Sequence, residues 1–269
     1  MKKGLALFLS LVLLVSAVFA SFAFAEETAE STPPPLPPFV RENTKVVSVF
    51  AAGLAQPLQR ADSEQEMIDT IWIYYDNGTF VQFAQIDHQF DYFSEGTYSF
   101  GNGGSFFIDE STKNGTITIN RAKKHSTMEG RITEYVSSHE YVLGTLGFRQ
   151  LYGPTVDKEV EAIFCDPFGL PYTDESSVTW HLDVFLLFYN DGSFEAFAVT
   201  GKDVINAFSG TYAFDEIGDF AIPHFEKESG KLTLNITESI NENIKKTITY
   251  DFGSMGIMPL FEKKVDVVK

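Results

Sequence analysis

Short runs of alternating apolar and polar residues fill most of the chain, and turn-forming residues interrupt them at intervals of roughly 10 residues. Ile71-Trp72-Ile73-Tyr74-Tyr75 and Thr79-Phe80-Val81-Gln82-Phe83 flank Asp76-Asn77-Gly78. Two β-rich runs around an Asn-Gly pair predict a hairpin with a tight type I′ turn, whose two central residues need positive φ. Alternation sets Trp72 and Tyr74 on one face and Ile71, Ile73 and Tyr75 on the other. Both faces are therefore apolar, and each must be covered. Further strands are predicted around 96–100, 106–108, 115–120, 130–136 and 141–152. No segment holds a helical period beyond a couple of turns. The best helix candidates, 63–67 and 203–207, are short and polar enough to be loop helices.

The pattern then recurs. Residues 46–84 align with 160–198 at a constant offset, without a gap. Identities in this block include Val46/Val160, Phe50/Phe164, Pro57/Pro171, Asp69/Asp183, Tyr75/Tyr189 and Gly78/Gly192. At the same offset Gly96-Thr97-Tyr98-Ser99-Phe100 meets Gly210-Thr211-Tyr212-Ala213-Phe214, and one residue out of it Gly115 to Ile119 meets Gly230 to Leu234. Near the ends Tyr141, Gly144, Gly147 and Leu151 match Tyr250, Gly253, Gly256 and Leu260. Four blocks in one order, with small insertions only between them, are the mark of duplication. The expected fold is all-β: two tandem antiparallel units, each an up-and-down barrel or a sandwich, over residues 45–152 and 159–263.

The order of apolar strand, Asp/Asn-Gly-Thr/Ser-Phe turn, Gly-Thr-Tyr strand and Gly-x-Leu/Ile-Thr-Leu/Ile strand resembles the bacterial lipocalin-like, calycin-type domains. The resemblance implies two small extracytoplasmic barrels covering nearly the whole mature chain. An eight-stranded barrel is just wide enough to be filled by its side chains or to hold one small ligand.

The N-terminal residues set the expected compartment. Lys2 and Lys3 precede an apolar run that ends in Ala23-Phe24-Ala25, the pattern of an export signal cleaved after residue 25. Residues 26–44, with Pro33-Pro34-Pro35 and Pro37-Pro38, have too little apolar surface to fold and read as a stiff, disordered linker. An extracytoplasmic destination follows, whether secreted, at the cell surface or periplasmic. The single cysteine, Cys165, excludes an intramolecular disulfide and, in an apolar run, reads as a buried thiol. With 37 acidic against 20 basic residues the net charge is −17, which disfavours nucleic acid and anionic membrane surfaces as partners.

Catalytic signatures are absent. The five histidines, His88, His125, His139, His181 and His224, fall at no metal-ligand spacing, and none recurs at its equivalent position. No cofactor, metal or catalytic residue is expected. Asp69 and Asp183 stand just ahead of an apolar strand, where a carboxylate bonding backbone is the simplest reading. The aromatics, 26 Phe, 11 Tyr and 2 Trp, either fill the cores or wall a pocket. A pocket would draw on Trp72, Tyr74, Tyr98 and Phe100 in the first unit, and on Phe188, Tyr212 and Phe214 in the second. Function is thus expected to be non-catalytic binding of a small apolar molecule or carbohydrate. The alternatives are a structural surface module that contacts a protein partner, or a hydrolase or isomerase with a carboxylate on a loop. Ligand, partner and oligomeric state are not legible.

Overall fold

The computed structural model describes residues 40–41, 44–59, 65–86, 89–109, 112–126, 131–143, 147–173, 179–215, 220, 230–240, 244–251 and 257–263. The expected export signal and most of the linker lie outside them. Strands β2 (Val46–Gln59), β3 (Gln65–Tyr75), β4 (Thr79–Ile86), β5 (Gln89–Gly101), β6 (Thr116–Ser126) and β7 (Arg131–Val142) form an antiparallel meander. β8 (Arg149–Tyr152) returns to pair with β2, so the first sheet reads β7-β6-β5-β4-β3-β2-β8. The second repeats that order: β14 (Thr247–Asp251), β13 (Lys231–Ser239), β12 (Asp203–Phe214), β11 (Ser193–Thr200), β10 (Thr179–Tyr189), β9 (Val160–Thr173) and β15 (Met258–Lys263). The two-residue β1 (Val40–Arg41) adds a parallel edge to β15.

The duplication extends to register. Val46 faces Tyr75 as Val160 faces Tyr189, Val49 faces Tyr152 as Ile163 faces Phe261, and Thr118 faces Glu140 as Thr233 faces Thr249. The bulges are kept too, at Ala52/Gln56 and Asp166/Leu170 on the first strand of each unit, and at Gly96 and Gly210 further on. The two segments with a weak helical signal are strand instead: 65–67 opens β3 and 203–207 opens β12. Cross-strand pairing within a buried sheet outweighs a marginal local helix preference.

The hairpin turns differ from the type I′ expectation. Only Gly78 and Gly192 take positive φ, near 80°, while Asn77 and Asp191 do not. Each is a three-residue loop in which one glycine takes the left-handed position, the usual geometry of a type I turn closed by a bulge. The Asn77 and Asp191 carboxyl or amide oxygens are used instead as acceptors, each from the backbone N–H two residues on, at 3.0 Å.

Neither sheet closes into a barrel by pairing its own edges, and one is curled into a half-barrel. Instead the two lie back to back. Ile71, Ile73 and Tyr75 of the first unit join Phe185, Leu187 and Tyr189 of the second in one continuous core. Contacts across it come in reciprocal pairs: Tyr75 meets Phe261 at 5.7 Å between ring centroids, and the equivalent Tyr189 meets Tyr152 at 6.1 Å. The equivalent residues Lys45 and Glu159 meet each other, Nζ to Oε2 at 3.2 Å. Reciprocal contacts and self-meeting positions define a pseudo-two-fold axis between the units. Trp72 and Tyr74 face away from this shared core, as the alternation predicts, into a cluster belonging to the first unit alone. No described helix is long and apolar enough to cross a membrane.

Candidate functional site

The inner face of the first sheet holds a cavity of about 290 Å³. Its apolar walls are Trp72 and Tyr74 from β3, Ile117 and Ile119 from β6, Tyr141 from β7 and Phe148 just ahead of β8. Its polar wall comes from Gln56, Arg121, Lys124, Ser137 and His139. Two irregularities aim these side chains. On β2 the ladder skips from Ala52 to Gln56, and Leu54 within that break takes φ 49°. The Asp69 carboxylate accepts the Leu54 N–H at 2.8 Å, holding the break open so that Gln56 and Pro57 turn onto the cavity.

On β6 the pairing with β5 shifts between Arg121 and Lys123. Strict alternation after Ile117, Ile119 and Arg121 would send Lys123 inward. The extra residue, Ala122, reverses the phase. Lys124 therefore lines the cavity, and Lys123 pairs outside with Glu95 at 3.0 Å. The Arg121 guanidinium lies over the Trp72 ring with Cζ 5.1 Å from its centroid, and Lys124 Nζ lies 5.3 Å from the centre of Phe93. Burial lowers the affinity of Lys124 for its proton, and the neighbouring Arg121 charge lowers it further. Burial also drives the Tyr74 phenol well above its ordinary range, so it stays neutral.

Behind the cavity sits a closed polar layer. Gln82, fully buried, donates to Gln56 Oε1 and Thr70 Oγ1, each at 2.9 Å, and accepts from Ser94 Oγ at 2.8 Å. Thr70 Oγ1 in turn donates to the Phe83 carbonyl. In such a satisfied network the internal hydrogen bonds offset the desolvation cost and fix its members in place. Two groups on the cavity wall are not satisfied: Trp72 Nε1 and Ser137 Oγ are buried without a hydrogen-bond partner, although Trp72 is only 4% exposed. A buried donor left unpaired costs about 1–3 kcal/mol.

The remaining residues predicted for a pocket lie elsewhere. Phe106, from the connection between β5 and β6, plugs the turn end of the cluster and is held by Gln150 Nε2 donating to its carbonyl at 2.8 Å. Tyr98 and Phe100 pack on that plug, at 5.2 and 4.8 Å from Phe106. Tyr98 donates its hydroxyl to the Tyr75 carbonyl, and burial with the nearby Asp76 charge pushes it up to about 12. Phe100 is exposed. In the second unit Phe188, Tyr212 and Phe214 surround Phe220, the equivalent of Phe106, at centroid distances of 5.1, 5.5 and 4.7 Å. Trp72 and Tyr74 are thus the two that share the cavity.

No known family model, curated protein or solved structure matches this chain.

The internal comparison is more informative. Trp72 corresponds to Leu186, Arg121 to Ile236, His139 to Ile248 and Phe148 to Ile257. The polar layer changes in the same sense: Gln82 corresponds to Ala196, Thr70 to Val184 and Ser94 to Phe208, all three buried and apolar. The layer behind the cavity is polar in one unit and hydrocarbon in its duplicate, where the Tyr250 hydroxyl instead donates to Asp166 at 3.0 Å. Arg121, Lys124, Ser137 and the glutamines lay outside the sequence expectation. Their visible signal was Arg121-Ala122-Lys123-Lys124, a basic run in an acidic chain whose duplicate reads Ile236-Thr237-Glu238-Ser239. Among the described residues no group of three His, Cys, Asp or Glu side chains is arranged to hold a metal ion.

Proposed function

We propose that this chain is an exported, non-catalytic binding protein that holds a small molecule in the Trp72 cavity of its first unit. The second unit acts as a filled partner that completes the shared core. The observation that carries this reading is a cavity walled by Trp72, Arg121, Lys124 and Ser137 and backed by the Gln82, Thr70 and Ser94 layer, which the duplicate unit replaces with Ala196, Val184 and Phe208. A cavity that existed only as a packing fault would be lined by hydrocarbon, as apolar voids are. This one is lined by cations and backed by a hydrogen-bonded glutamine. Its volume is at the low end of small-ligand pockets, roughly ten water molecules' worth, which suits a ligand of one or two rings. The up-and-down strand order and the inward-facing cavity are what support the likeness to lipocalin-like domains.

Native mass spectrometry of the mature chain from its own host tests the reading. The expected result is an added mass that disappears on denaturation and is missing from a Ser137→Phe variant, which fills the cavity. An unoccupied protein whose melting temperature is unmoved by a panel of small apolar molecules, organic acids and sugars would overturn it.

A further inference from the structure

We propose that the ligand of the first unit is an amphipathic organic anion. Its apolar body lies against Phe148 and Tyr141, and its carboxylate or other anionic group lies between Arg121 and Lys124. The inference rests on the reading of this cavity as a ligand site and adds the ligand's chemical class.

Three observations point the same way. First, an acidic chain places two cations on the wall of one small cavity, and it uses a β-bulge to do so. Ordinary alternation would have left Lys124 outside. Second, Arg121 makes no ion pair with any described carboxylate; its recorded neighbour is the Trp72 ring. A guanidinium parked on an indole keeps its in-plane N–H groups available, in the fork geometry that suits a carboxylate. The Arg121 charge disfavours the charged form of Lys124, and a negative group beside both acts in the opposite direction. Third, among the described residues the only fixed charges on the wall are cationic: no Asp or Glu lines it, and Arg121 and Lys124 can only donate.

The same geometry argues against a sugar as the preferred ligand. Ring stacking needs an open aromatic face, but Trp72 is covered by Arg121 at 5.1 Å, Phe80 at 5.2 Å, Phe148 at 6.2 Å and Tyr74 at 6.3 Å. It offers no open face. The second unit, where Arg121 and Lys124 correspond to Ile236 and Ser239, lacks this anion-binding set.

The test is a matched series on the intact mature protein: naphthalene-2-carboxylate, naphthalene-2-carboxamide and naphthalen-2-ylmethylammonium, followed by calorimetry at two salt concentrations. The carboxylate is expected to bind at least tenfold more tightly than the amide, and the ammonium not at all. Arg121→Gln and Lys124→Gln should each bring carboxylate binding down to within about threefold of amide binding measured on the same variant. Lys123→Gln, on the opposite face of the same strand, should leave the series as in the parent. Equal binding of carboxylate and amide, with both lost in Ser137→Phe, would overturn the anion inference and leave the pocket standing. Binding of none of the three, by a protein that carries a different mass from its host, would overturn the anion inference through the identity of that molecule if it is neutral or cationic. A protein empty from its host that binds none would overturn both.

Discussion

At the scale of single residues, the most exacting placement is a carboxyl. Asp183 and its duplicate Asp69 sit near the pseudo-two-fold axis, with Asp166 close by. Burial raises the Asp183 pKa from 3.8 to about 7, and the charges of Asp69 and Asp166 add to the effect, against a hydrogen bond donated by Gln85 Nε2. A carboxyl with a raised folded-state pKa favours the protonated protein. Its stabilising contribution is complete below the unfolded value of 3.8 and is lost as pH rises through about 7. Asp183→Asn keeps an acceptor for Gln85 and removes the charge. It should stabilise the protein at pH 8.5 by about 1–2 kcal/mol, after allowance for partial solvent access, and do little at pH 4. Urea unfolding at the two pH values checks this, and an unchanged difference between them would contradict it. A second pair of residues tests the duplication chemically. Tyr98 and Tyr212 each donate a hydroxyl across the hairpin loop, to the Tyr75 and Tyr189 carbonyls at 2.8 and 3.0 Å. Tyr98→Phe and Tyr212→Phe should cost about 1 kcal/mol each in the same unfolding assay.

Among the elements, strands were legible and their irregularities were not. Alternation along Ile71 to Tyr75 correctly separates the shared core from the inner face, because a period of two is a property of any strand. The meander follows from runs spaced by turns, but 106–108, expected as a strand, is the connection that carries Phe106, and the runs at 131–136 and 141–142 are one strand, β7. The bulges are different, since an extra residue in a ladder is chosen by the partner strand. Nothing local in Arg121-Ala122-Lys123-Lys124 says which residue is the extra one, and a regular reading puts the wrong lysine in the cavity. That is why the placement of Trp72 and Tyr74 on the inner face could be read in advance and that of Lys124 could not. The turn was misread for a related reason: Asn-Gly is compatible with type I′, but a three-residue loop needs positive φ only at Gly78. One feature of the bulges can be tested directly. A Cβ built on Gly96 would come 1.9 Å from the Asn120 carbonyl oxygen, and one on Gly210 would come 2.0 Å from that of Asn235. Gly96→Ala and Gly210→Ala should each destabilise by about 1–3 kcal/mol, through backbone crowding that no rotamer relieves. Thermal unfolding would show a lowered midpoint in both; a neutral result in either would mean that the bulge is not rigid.

The whole molecule behaves as an internal dimer whose two halves have parted ways. Their contact face is the larger apolar core, so neither sheet can be exposed to water on that side without a cover. The halves are also no longer interchangeable. A like pairing of first units would set Lys45 against Lys45, and one of second units would set Glu159 against Glu159. The natural pairing makes the Lys45–Glu159 ion pair at 3.2 Å. The Arg149 guanidinium donates across to the Val204 carbonyl and Asn206 Oδ1; two second units could make neither bond, because Met258 is equivalent to Arg149, and two first units would lack the Asn206 acceptor, because Tyr92 is equivalent to it. An exposed ion pair is worth only about 0–1 kcal/mol, so selection comes from the sum of the repulsion in the wrong pairs and the lost arginine bonds. Fragments 45–152 and 159–263, refolded together, should therefore give one-to-one complexes in preference to either homodimer, by native mass spectrometry. Arg149→Met, which copies the second unit's residue, should shift the mixture toward a statistical distribution. Two fragments that stay monomeric and soluble on their own would mean that the shared core is not what holds the halves together. In that case the apolar inner clusters around Phe106 and Phe220 would have to be sufficient for each unit to fold.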